Sequence, residues 1–569
     1  MQKNYYLMVV LLCFCCVHLW AQEEKELAPV TRTYALTNVR IIQAPGRMIE
    51  KGTVVIKDGL IQAVGASVAV PSDAVIIKAD SMFVYAGFID GFSRVGVTKP
   101  KEEQRERPKD PGKPTNERAG ITPQNDVRSF LNPSDKAIED LRNIGFTAAQ
   151  VVPHGNLLPG QAAIISLGGR TADAMVLVNN SAMYSELSAA EGVYPATIIG
   201  VMAKWRDLYR QAQAAKTNQS LYASNRVGIE RPVSDRVLES FYPVIDQRMP
   251  MLFKSEKLLE TQRVLMLKND LKFPLIVGDL KEGWPIIGKL KNAGAKVFLS
   301  LDLPEEVKKD DKDKKADANS GTKKEEPKKE DKPKSAAELE KAALEKRKTD
   351  AIANFTAQAA SFNKAGIPFG FSAMSAKPKD IPANLRRMIA AGLPEDAALA
   401  SLTTTPAQLL GLTDRLGTVD NGKMANLVIT DKPYFNEKAK VRYVFVEGSL
   451  YKMEVKETKK GDPNAKVEIQ GSWSTTTDSP QGKSTNKVTF KKDGSNYSGT
   501  ISGGRLQNEI PLKSVTLEGN ALTYSYSLSF GGRSIDVEVS ATVEGDTFKG
   551  NSSVGQFGSF TIEASKDPK

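Results

Sequence analysis

Imidazole and thiol side chains, which supply most metal ligands and many nucleophiles in proteins, are scarce in this sequence. The 569 residues contain two histidines and three cysteines. Cys13, Cys15, Cys16 and His18 all fall within the first 21 residues, so His154 is the one imidazole in the rest of the chain. Zinc and thiol chemistry need several such groups close together. The composition therefore excludes most zinc and thiol sites.

A few other polar side chains follow apolar, strand-like segments and are candidates for a site. They are Asp90, Arg94, Gln161 and Asp279, with His154 after the predicted strand 144–152. As a catalytic base, His154 would need an orienting carboxylate and a nearby nucleophile, and spacing shows neither. The pattern favours a surface-loop histidine, and it favours a strand-end capping role for Asp90.

The first 21 residues have the pattern of a secretory signal peptide. Lys3 precedes a mostly apolar run over residues 5–20, and Ala21 is followed by polar residues. Such a run is shorter than the 20 or so residues of a membrane span. We expect cleavage after residue 21, export, and no membrane span afterwards. A lipoprotein is disfavoured, because none of the three cysteines follows a small residue.

The central region alternates strand and helix patterns. After short predicted strands over 35–42, 54–56 and 60–64, apolar strands are predicted at 144–152, 163–167, 274–277 and 296–301. Helical periodicity is predicted at 186–190, 201–215 and 284–293. This alternation is typical of a parallel α/β barrel with insertions.

Residues 305–334 interrupt the barrel pattern with a run of charge. The segment holds 11 Lys and 10 Asp or Glu among 30 residues, and Val307 is its one large apolar side chain. Such a sequence buries too little surface to offset its chain entropy. We interpret it as a solvated, disordered insertion rather than an interaction tail, and residues 335–360 as the helix that returns to the barrel.

After about residue 463 the pattern becomes alternating β-strand with recurrent turns. Turn signals occur at Asp493-Gly494, at 518–520 and at 544–546. We predict a separate antiparallel β-sandwich or small barrel over 463–569. Its opening segment, Gly471-Ser472-Trp473, resembles lipocalin-like β-domains appended to exported bacterial hydrolases. A module that packs on the barrel or mediates association is favoured over a ligand pocket.

Several blocks resemble the amidohydrolase superfamily, near its imidazolonepropionase-like branch. The segment 86–90, Ala-Gly-Phe-Ile-Asp, is similar to the entry of the first barrel strand, and 366–369 to the eighth strand. The run 404–407, Thr-Thr-Pro-Ala, with Gly417-Thr418 and Gly422-Lys423, is the most specific match. The resemblance covers about residues 34–455.

The resemblance implies a definite fold and domain order. We expect a TIM-type (β/α)8 barrel and a composite β-sandwich built from both of its flanks, plus the separate C-terminal β-domain. The predicted boundaries are 1–21 for the signal peptide, 34–84 and 408–455 for the two halves of the small β-domain, 85–407 for the barrel and 463–569 for the tail.

The same resemblance implies a divalent-metal site that this sequence does not reproduce. Family members hold one or two metals with a His-x-His after the first strand, a Lys or Glu, two further His, and an Asp after the eighth strand. Here Phe92 and Arg94 take the two histidine positions, and Met374 lies where the aspartate is expected. A guanidinium would repel a divalent cation, so we expect no metal cofactor and no catalytic residues of the family type.

The leading hypothesis is an exported amidohydrolase-fold protein that has lost its metal centre. It would act by holding a ligand in the barrel mouth, near Asp90, Arg94, His154, Gln161 and Asp279, or as a non-catalytic subunit of an active paralogue, in a homo- or hetero-dimer. We expect the periplasm or cell envelope of a bacterium. The net charge of +11 lacks the aromatic and basic pattern of nucleic-acid readers, so no nucleic-acid partner is expected.

Two alternatives stay open at the level of sequence. One is an active hydrolase of C–N bonds, on peptides or cyclic amides, with an altered site that uses His154 and carboxylates. The other is a carbohydrate- or lipid-binding surface protein led by the tail. Metal analysis and a His154→Ala assay distinguish the first, and ligand tests on the fragment 463–569 distinguish the second.

Overall fold

The computed structural model describes residues 32–100, 109–305, 336–453, 462, 465, 467–479, 482–494, 496–504, 508–530, 533–554 and 558–568. The predicted signal peptide and all but the first residue of the predicted charged insertion 305–334 lie outside these residues. The chain forms two compact units, Met1–Met453 and Glu454–Lys569. In the part of the chain that is described, no helix is long and apolar enough to cross a membrane.

The first unit begins with five strands: β1 (Tyr34–Ala44), β2 (Arg47–Lys57), β3 (Leu60–Gly65), β4 (Val75–Lys78) and β5 (Phe83–Ala86). Strands β2 and β3 form a hairpin across Asp58 and Gly59, which both have positive φ, of 51° and 78°. Positive φ at both central residues is the requirement of the tight hairpin turn that Asp-Gly favours. Asp58 and Gly59 therefore form a turn of this kind between the strands predicted at 54–56 and 60–64.

Eight strands then form the barrel sheet: β6 (Phe88–Ser93), β7 (Phe146–Val151), β8 (Gly160–Ser166), β9 (Val176–Glu186), β10 (Met251–Lys254), β11 (Leu275–Leu280), β12 (Lys296–Ser300) and β13 (Phe369–Ser372). Each strand pairs with the next in chain order, and β6 and β13 are the two ends of the series. Two hydrogen bonds join these ends: Ser372 Oγ donates to the Phe92 carbonyl oxygen over 2.8 Å, and the Ala373 N–H donates to Asp90 Oδ1 over 3.0 Å.

The expectation of an all-parallel barrel is wrong at β8, which runs antiparallel to both β7 and β9. Parallel neighbours need a crossover of a dozen or more residues. Only residues 152–159 separate β7 from β8, and the segment from β8 to β9 contains a single helix of four residues. Both connections are too short for a crossover, so the chain must reverse direction twice.

The helices of this unit are α1 (Lys136–Arg142), α2 (Ala172–Met175), α3 (Ile198–Ser224), α4 (Arg236–Glu239), α5 (Tyr242–Ile245), α6 (Leu258–Leu271), α7 (Ile287–Asn292), α8 (Ala336–Lys364), α9 (Ile381–Ala390), α10 (Glu395–Leu402) and α11 (Thr404–Leu409). The predicted helix over 186–190 is wrong. There the Glu186 N–H donates to the Leu157 carbonyl and the Leu157 N–H to the Ser188 carbonyl, so the backbone pairs with a neighbouring loop instead of coiling.

Strands β14 (Leu427–Thr430), β15 (Val441–Val446) and β16 (Ser449–Lys452) follow the barrel. They join the first five strands in one sheet of order β16-β15-β14-β5-β1-β2-β3, with β4 beside β1. Because β14 pairs with β5, the segments before and after the barrel share a sheet. Their apolar side chains form a core of their own, with Leu36, Ile56, Leu427 and Phe445 fully buried.

The second unit consists of β17 (Gly471–Ser479), β18 (Gly482–Asp493), β19 (Asn496–Ser502), β20 (Ile510–Pro511), β21 (Ser514–Glu518), β22 (Ala521–Phe530), β23 (Arg533–Glu544), β24 (Thr547–Val554) and β25 (Ser559–Lys566). These strands form one antiparallel sheet that begins at β20 and ends at β21. The Leu512 N–H bonds to the Gly499 carbonyl and the Lys513 N–H to the Ser525 carbonyl. The two ends of the sheet therefore meet, around a core that contains Trp473 and Tyr524.

Candidate functional site

The interior of the barrel in the first unit is filled by a layer of large side chains, which we call the floor. Its members are Phe92, Tyr184, Leu252, Ile276 and Phe298, and each is almost completely buried. The rings of Phe92 and Tyr184 lie 5.7 Å apart, centroid to centroid. Phe92 is the first of the two positions at which the family resemblance places a histidine. Its side chain carries no donor atom and points into packed protein.

Glycines on neighbouring strands make room for the two phenyl rings of the floor. A Cβ atom at Gly278 would lie 2.6 Å from the Phe92 ring, and one at Gly91 would lie 1.9 Å from the Phe298 ring. Both distances are far below van der Waals contact, so only glycine fits beside these rings. The floor is thus a close-packed arrangement that several strands share.

Asp90 lies on β6 and is completely buried. Its Oδ1 accepts the N–H groups of Phe92 and Ala373, over 3.2 Å and 3.0 Å. Its Oδ2 is buried with no hydrogen-bond partner among the described residues. Burial raises the pKa of Asp90 to about 7, and the nearby Asp279 contributes in the same direction. The predicted strand-end role fits this arrangement, since Asp90 fastens β6 to the residue after β13.

Asp279, at the end of β11, is also fully buried and has a φ of +59°. Ser375 Oγ donates to its Oδ2 over 2.5 Å, and Ser372 Oγ lies 3.2 Å from its Oδ1. The Ser372 hydroxyl has one proton, and its shorter contact, of 2.8 Å, is with the Phe92 carbonyl oxygen. Burial raises the pKa of Asp279, while the serine hydroxyls and Lys281 oppose that rise. The two predicted aspartates therefore both bond to the segment that ends β13, Asp279 through Ser372 and Ser375 and Asp90 through the Ala373 N–H.

Charged side chains at the strand ends form a second layer, which we call the rim. Its members are Arg94, Glu186, Lys254, Glu256, Lys281 and Asp302. On the β10–β12 side, Glu256 pairs with Lys254 at 2.9 Å and with Lys281 at 3.5 Å, and Lys281 also pairs with Asp302 at 2.8 Å. Burial alone would raise the pKa of Glu256, but the two lysines outweigh it and hold the pKa low. Two cations and two anions neutralise one another on this side.

The β6–β9 side of the rim is built around Arg94. Arg94 lies 3.6 Å from Glu186 and donates to the Tyr184 hydroxyl over 3.1 Å. The Tyr184 hydroxyl in turn donates to Glu186 over 3.1 Å. His154 lies nearby with its Nε2 3.3 Å from the Val97 carbonyl oxygen. Burial lowers the pKa of His154, and the positive charges of Arg94 and Lys99 lower it further.

The structure does not bring all the predicted site residues together in one site. Asp90 and Asp279 both bond to residues 372–375, and Arg94 is near enough to His154 to lower its pKa. The amide of Gln161 instead donates to the carbonyl of Pro123 over 3.2 Å. Met374 is half-buried and packs against the floor, so the position of the expected aspartate also lacks a carboxylate.

Sequence reasoning missed most of the rim and the tyrosine beneath it. Tyr184 and Glu186 lie at the end of β9, and Lys254 ends β10. A usable signal was present, since Glu256, Lys281 and Asp302 each follow an apolar strand by one or two residues. Charged residues directly after buried strands of a barrel lie at its C-terminal mouth.

The donor set does not fit a divalent metal. Among the described residues, no group of three or more His, Cys, Asp or Glu side chains could hold a metal ion. The two positions of the expected His-x-His carry a phenyl ring and a guanidinium, and the carboxylates of the rim are already paired with cations. Metals of the expected kind need several converging nitrogen or oxygen donors.

Comparison with known proteins identifies the family. Residues 111–452 match the model of the amidohydrolase family, so the chain belongs to that family. A search of curated proteins found no match.

Among solved structures, an amidohydrolase from Thermotoga maritima MSB8 is 19% identical with a TM-score of 0.58, and the alignment covers 74% of this chain and 100% of that one. A prolidase complexed with N-methylphosphonate-L-proline is 13% identical with a TM-score of 0.40, over 74% and 99% of the two chains. A prolidase described as putative, from Bifidobacterium longum, is 13% identical with a TM-score of 0.36, over 74% and 95%. The similarity to the Thermotoga protein shows the fold.

Proposed function

We propose that this amidohydrolase-family protein has lost the metal centre and acts by binding at the barrel mouth, without hydrolysis by the family route. The observation that carries the proposal is the packing of Phe92. At the position where the family resemblance implies the first metal ligand, Phe92 is locked into the floor by Tyr184 and by a glycine at 278. A histidine there would have to displace packed protein before it could reach a metal.

The charges of the mouth support the same proposal. Arg94 takes the second histidine position, and its guanidinium would repel a divalent cation. Glu186 and Tyr184 hold that guanidinium in place. Asp90 and Asp279 remain, but both are buried and bonded to backbone or serine groups. These two carboxylates stabilise the junction of β6 with β13 in this interpretation.

The test is metal content together with hydrolysis. The protein, purified from medium that contains zinc and manganese, is expected to hold less than about 0.1 metal ion per chain. It is also expected to leave N-acyl amino acids and Xaa-Pro dipeptides intact. A Phe92→His/Arg94→His variant should not regain a metal, because the floor and the other ligand positions are unchanged. A stoichiometric metal with hydrolysis that a chelator abolishes would contradict the proposal.

An active hydrolase with an altered site is the second candidate, and one observation favours it. Asp90 has an unpartnered oxygen, and its pKa of about 7 is suited to a general base. Against it, the carboxyl group is out of contact with solvent. Any amidase activity lost in both His154→Ala and Asp90→Asn, in the absence of metal, would favour this candidate.

The remaining parts of the proposal concern partners and location. We propose that the chain is exported to the periplasm or cell envelope, on the evidence of the apolar run over residues 5–20. We also propose assignment to the imidazolonepropionase-like branch, a composite small β-domain and a lipocalin-like tail. If the protein works through a partner, we propose that it is the non-catalytic subunit of a mixed dimer with an active paralogue. Cell fractionation and pull-down from the native host test these points.

A further inference from the structure

An exposed serine just after β13 lies within hydrogen-bond distance of a buried carboxyl group. Ser375 Oγ donates to Asp279 Oδ2 over 2.5 Å. Ser375 is exposed, whereas Asp279 is completely buried. A hydroxyl group becomes a nucleophile when a neighbouring base takes its proton. We propose that Ser375 is the nucleophile of a metal-independent acyl transfer, with Asp279 as its general base and a small neutral ester as the substrate.

The single proton of the Ser375 hydroxyl is directed at Asp279. The other acceptor near Ser375 Oγ is Glu256 Oε1, at the longer distance of 3.5 Å. The shorter bond determines where the proton lies, since a hydroxyl group has one proton to donate. The lone pairs of Oγ are then available to an ester carbonyl group that enters from the mouth.

Asp279 has the properties of a base for this proton. Its carboxyl group is surrounded by packed protein, so it keeps its position when a substrate enters. Burial raises the pKa of Asp279, although the serine hydroxyls and Lys281 oppose that rise, and a more basic carboxylate takes a proton more readily. A carboxylate is ordinarily a weaker base than an imidazole. The reaction therefore favours a good leaving group, and so an ester over an amide.

Lys254 is placed to stabilise the negative charge that develops on the substrate. Its Nζ contacts Glu256 Oε1 over 2.9 Å, and this is the same oxygen that Ser375 Oγ approaches. The ammonium group is therefore within reach of the carbonyl oxygen of an acyl group bonded to Ser375, where it stabilises an oxyanion. The carboxylate of Glu256 repels a negatively charged acyl group at the same place, which is why a neutral substrate is expected.

The reaction has two balanced steps. In the first, Ser375 Oγ bonds to the carbonyl carbon, its proton passes to Asp279 Oδ2, and the bond between that carbon and the leaving oxygen breaks. The leaving alkoxide takes the proton from Asp279 and departs as an alcohol. In the second, water attacks the acyl group and gives a proton to Asp279, which returns it to Ser375 Oγ as the carboxylic acid leaves.

The experiment uses the full chain and p-nitrophenyl acetate, whose p-nitrophenolate leaving group needs no proton. We expect a burst of about one p-nitrophenolate per chain, followed by slower turnover. Peptide mass spectrometry should locate an acetyl group on Ser375. EDTA should leave the burst unchanged. This separates the inference from the proposed function, which a bound metal with chelator-sensitive hydrolysis would contradict without accounting for an acetyl group on Ser375.

Three variants make the test specific. Ser375→Ala should abolish the burst and the acetyl group, and it should fold because the side chain is exposed. Asp279→Asn should slow acylation at least about a hundredfold, and asparagine is well suited to the φ of 59° at this position. Ser234→Ala is the matched control. The Ser234 hydroxyl also donates to a carboxylate, that of Glu239 over 2.6 Å, but this carboxylate is only half-buried, so the burst should be kept.

Three results would overturn the inference. One is the absence of an acetyl group on Ser375, including the case in which acetyl groups occur on lysine side chains alone. Another is a burst of equal size in the wild type and in Ser375→Ala. The third is an equal loss of the burst in Ser375→Ala and Ser234→Ala, which would show that the buried base has no special part in the reaction. The comparison of the two serine variants stays valid if Asp279→Asn fails to fold.

Discussion

Asp90 illustrates how a single buried side chain can join the two ends of the barrel sheet. It occupies the end of the first barrel strand, completely buried, and bonds to the backbone on both sides of the β6–β13 junction. Its second oxygen has no partner among the described residues. Burial favours the protonated form of this carboxyl group and raises its pKa to about 7. Asp90 therefore links the stability of the barrel to pH.

The change Asp90→Asn should flatten the dependence of stability on pH. The native pKa, about 7, lies above the ordinary value of 3.8, so the native state binds the proton more tightly than the unfolded chain does. Stability then falls as the pH rises from about 4 to about 7 and is level above that. Between pH 5 and pH 8 the wild type should lose about 2 to 3 kcal/mol more than Asp90→Asn, measured by denaturant unfolding. Parallel curves for the two proteins would show that Asp90 does not titrate in this range.

At the scale of elements, the barrel depends on contacts between rings and glycines on different strands. Gly91 on β6 and Gly370 on β13 both lie against Phe298 of β12, and Gly278 on β11 lies against Phe92. The floor therefore depends on the register of four strands at once. Adding one methyl group at any of these glycines therefore alters the packing of the whole floor.

Gly91→Ala should destabilise the first unit by at least about 2 kcal/mol, since its Cβ would lie 1.9 Å from the Phe298 ring. Gly288→Ala, in α7 with nothing within 4 Å, is the control and should be neutral or stabilising by up to about 1 kcal/mol. Adding Phe298→Ala to Gly91→Ala should cost less than the sum of the two single changes. Simple additivity, measured by denaturant unfolding, would contradict the contact.

The sequence predicted many of the secondary-structure elements but few of the tertiary contacts between them. It identified the amidohydrolase superfamily from local blocks such as 86–90 and 404–407, and the family match over 111–452 confirms that identification. It did not identify β9 or the reversed direction of β8, because strand direction follows from connection length and closure of the whole sheet. It placed Arg94 and Gln161 in one predicted pocket but missed Glu186 and Tyr184, which hold Arg94 in place, because those contacts join residues about 90 positions apart in the chain.

The whole molecule consists of two units with separate cores. The first unit holds the barrel and the mixed sheet, while the core of the second is built around Trp473, Tyr524 and Phe548. The segment between their described parts, residues 454–461, lies outside the residues that the structure describes. Because each unit has a hydrophobic core of its own, we expect each to unfold cooperatively by itself.

We expect two thermal transitions in calorimetry of the full chain, and a truncated chain that ends at residue 453 should keep only the first. Its midpoint should match that of the full chain within about 2 °C, because the core of the first unit contains none of the removed residues. The fragment 463–569 should show the other transition. A single transition that truncation at 453 abolishes would indicate that the units unfold together.

What the sequence alone determined is a matter of composition and local pattern. With His154 as the one imidazole beyond the first 21 residues, a cage of several histidines is excluded before any folding is considered. The blocks that resemble the family and the alternation of strand and helix patterns can likewise be read from short stretches of sequence. The tertiary structure decided which groups meet: the phenyl ring of Phe92 against Gly278, Asp279 against the hydroxyl of Ser372, and Arg94 against Glu186 at the rim. These depend on residues far apart in the chain, and only closure of the barrel brings them within contact distance.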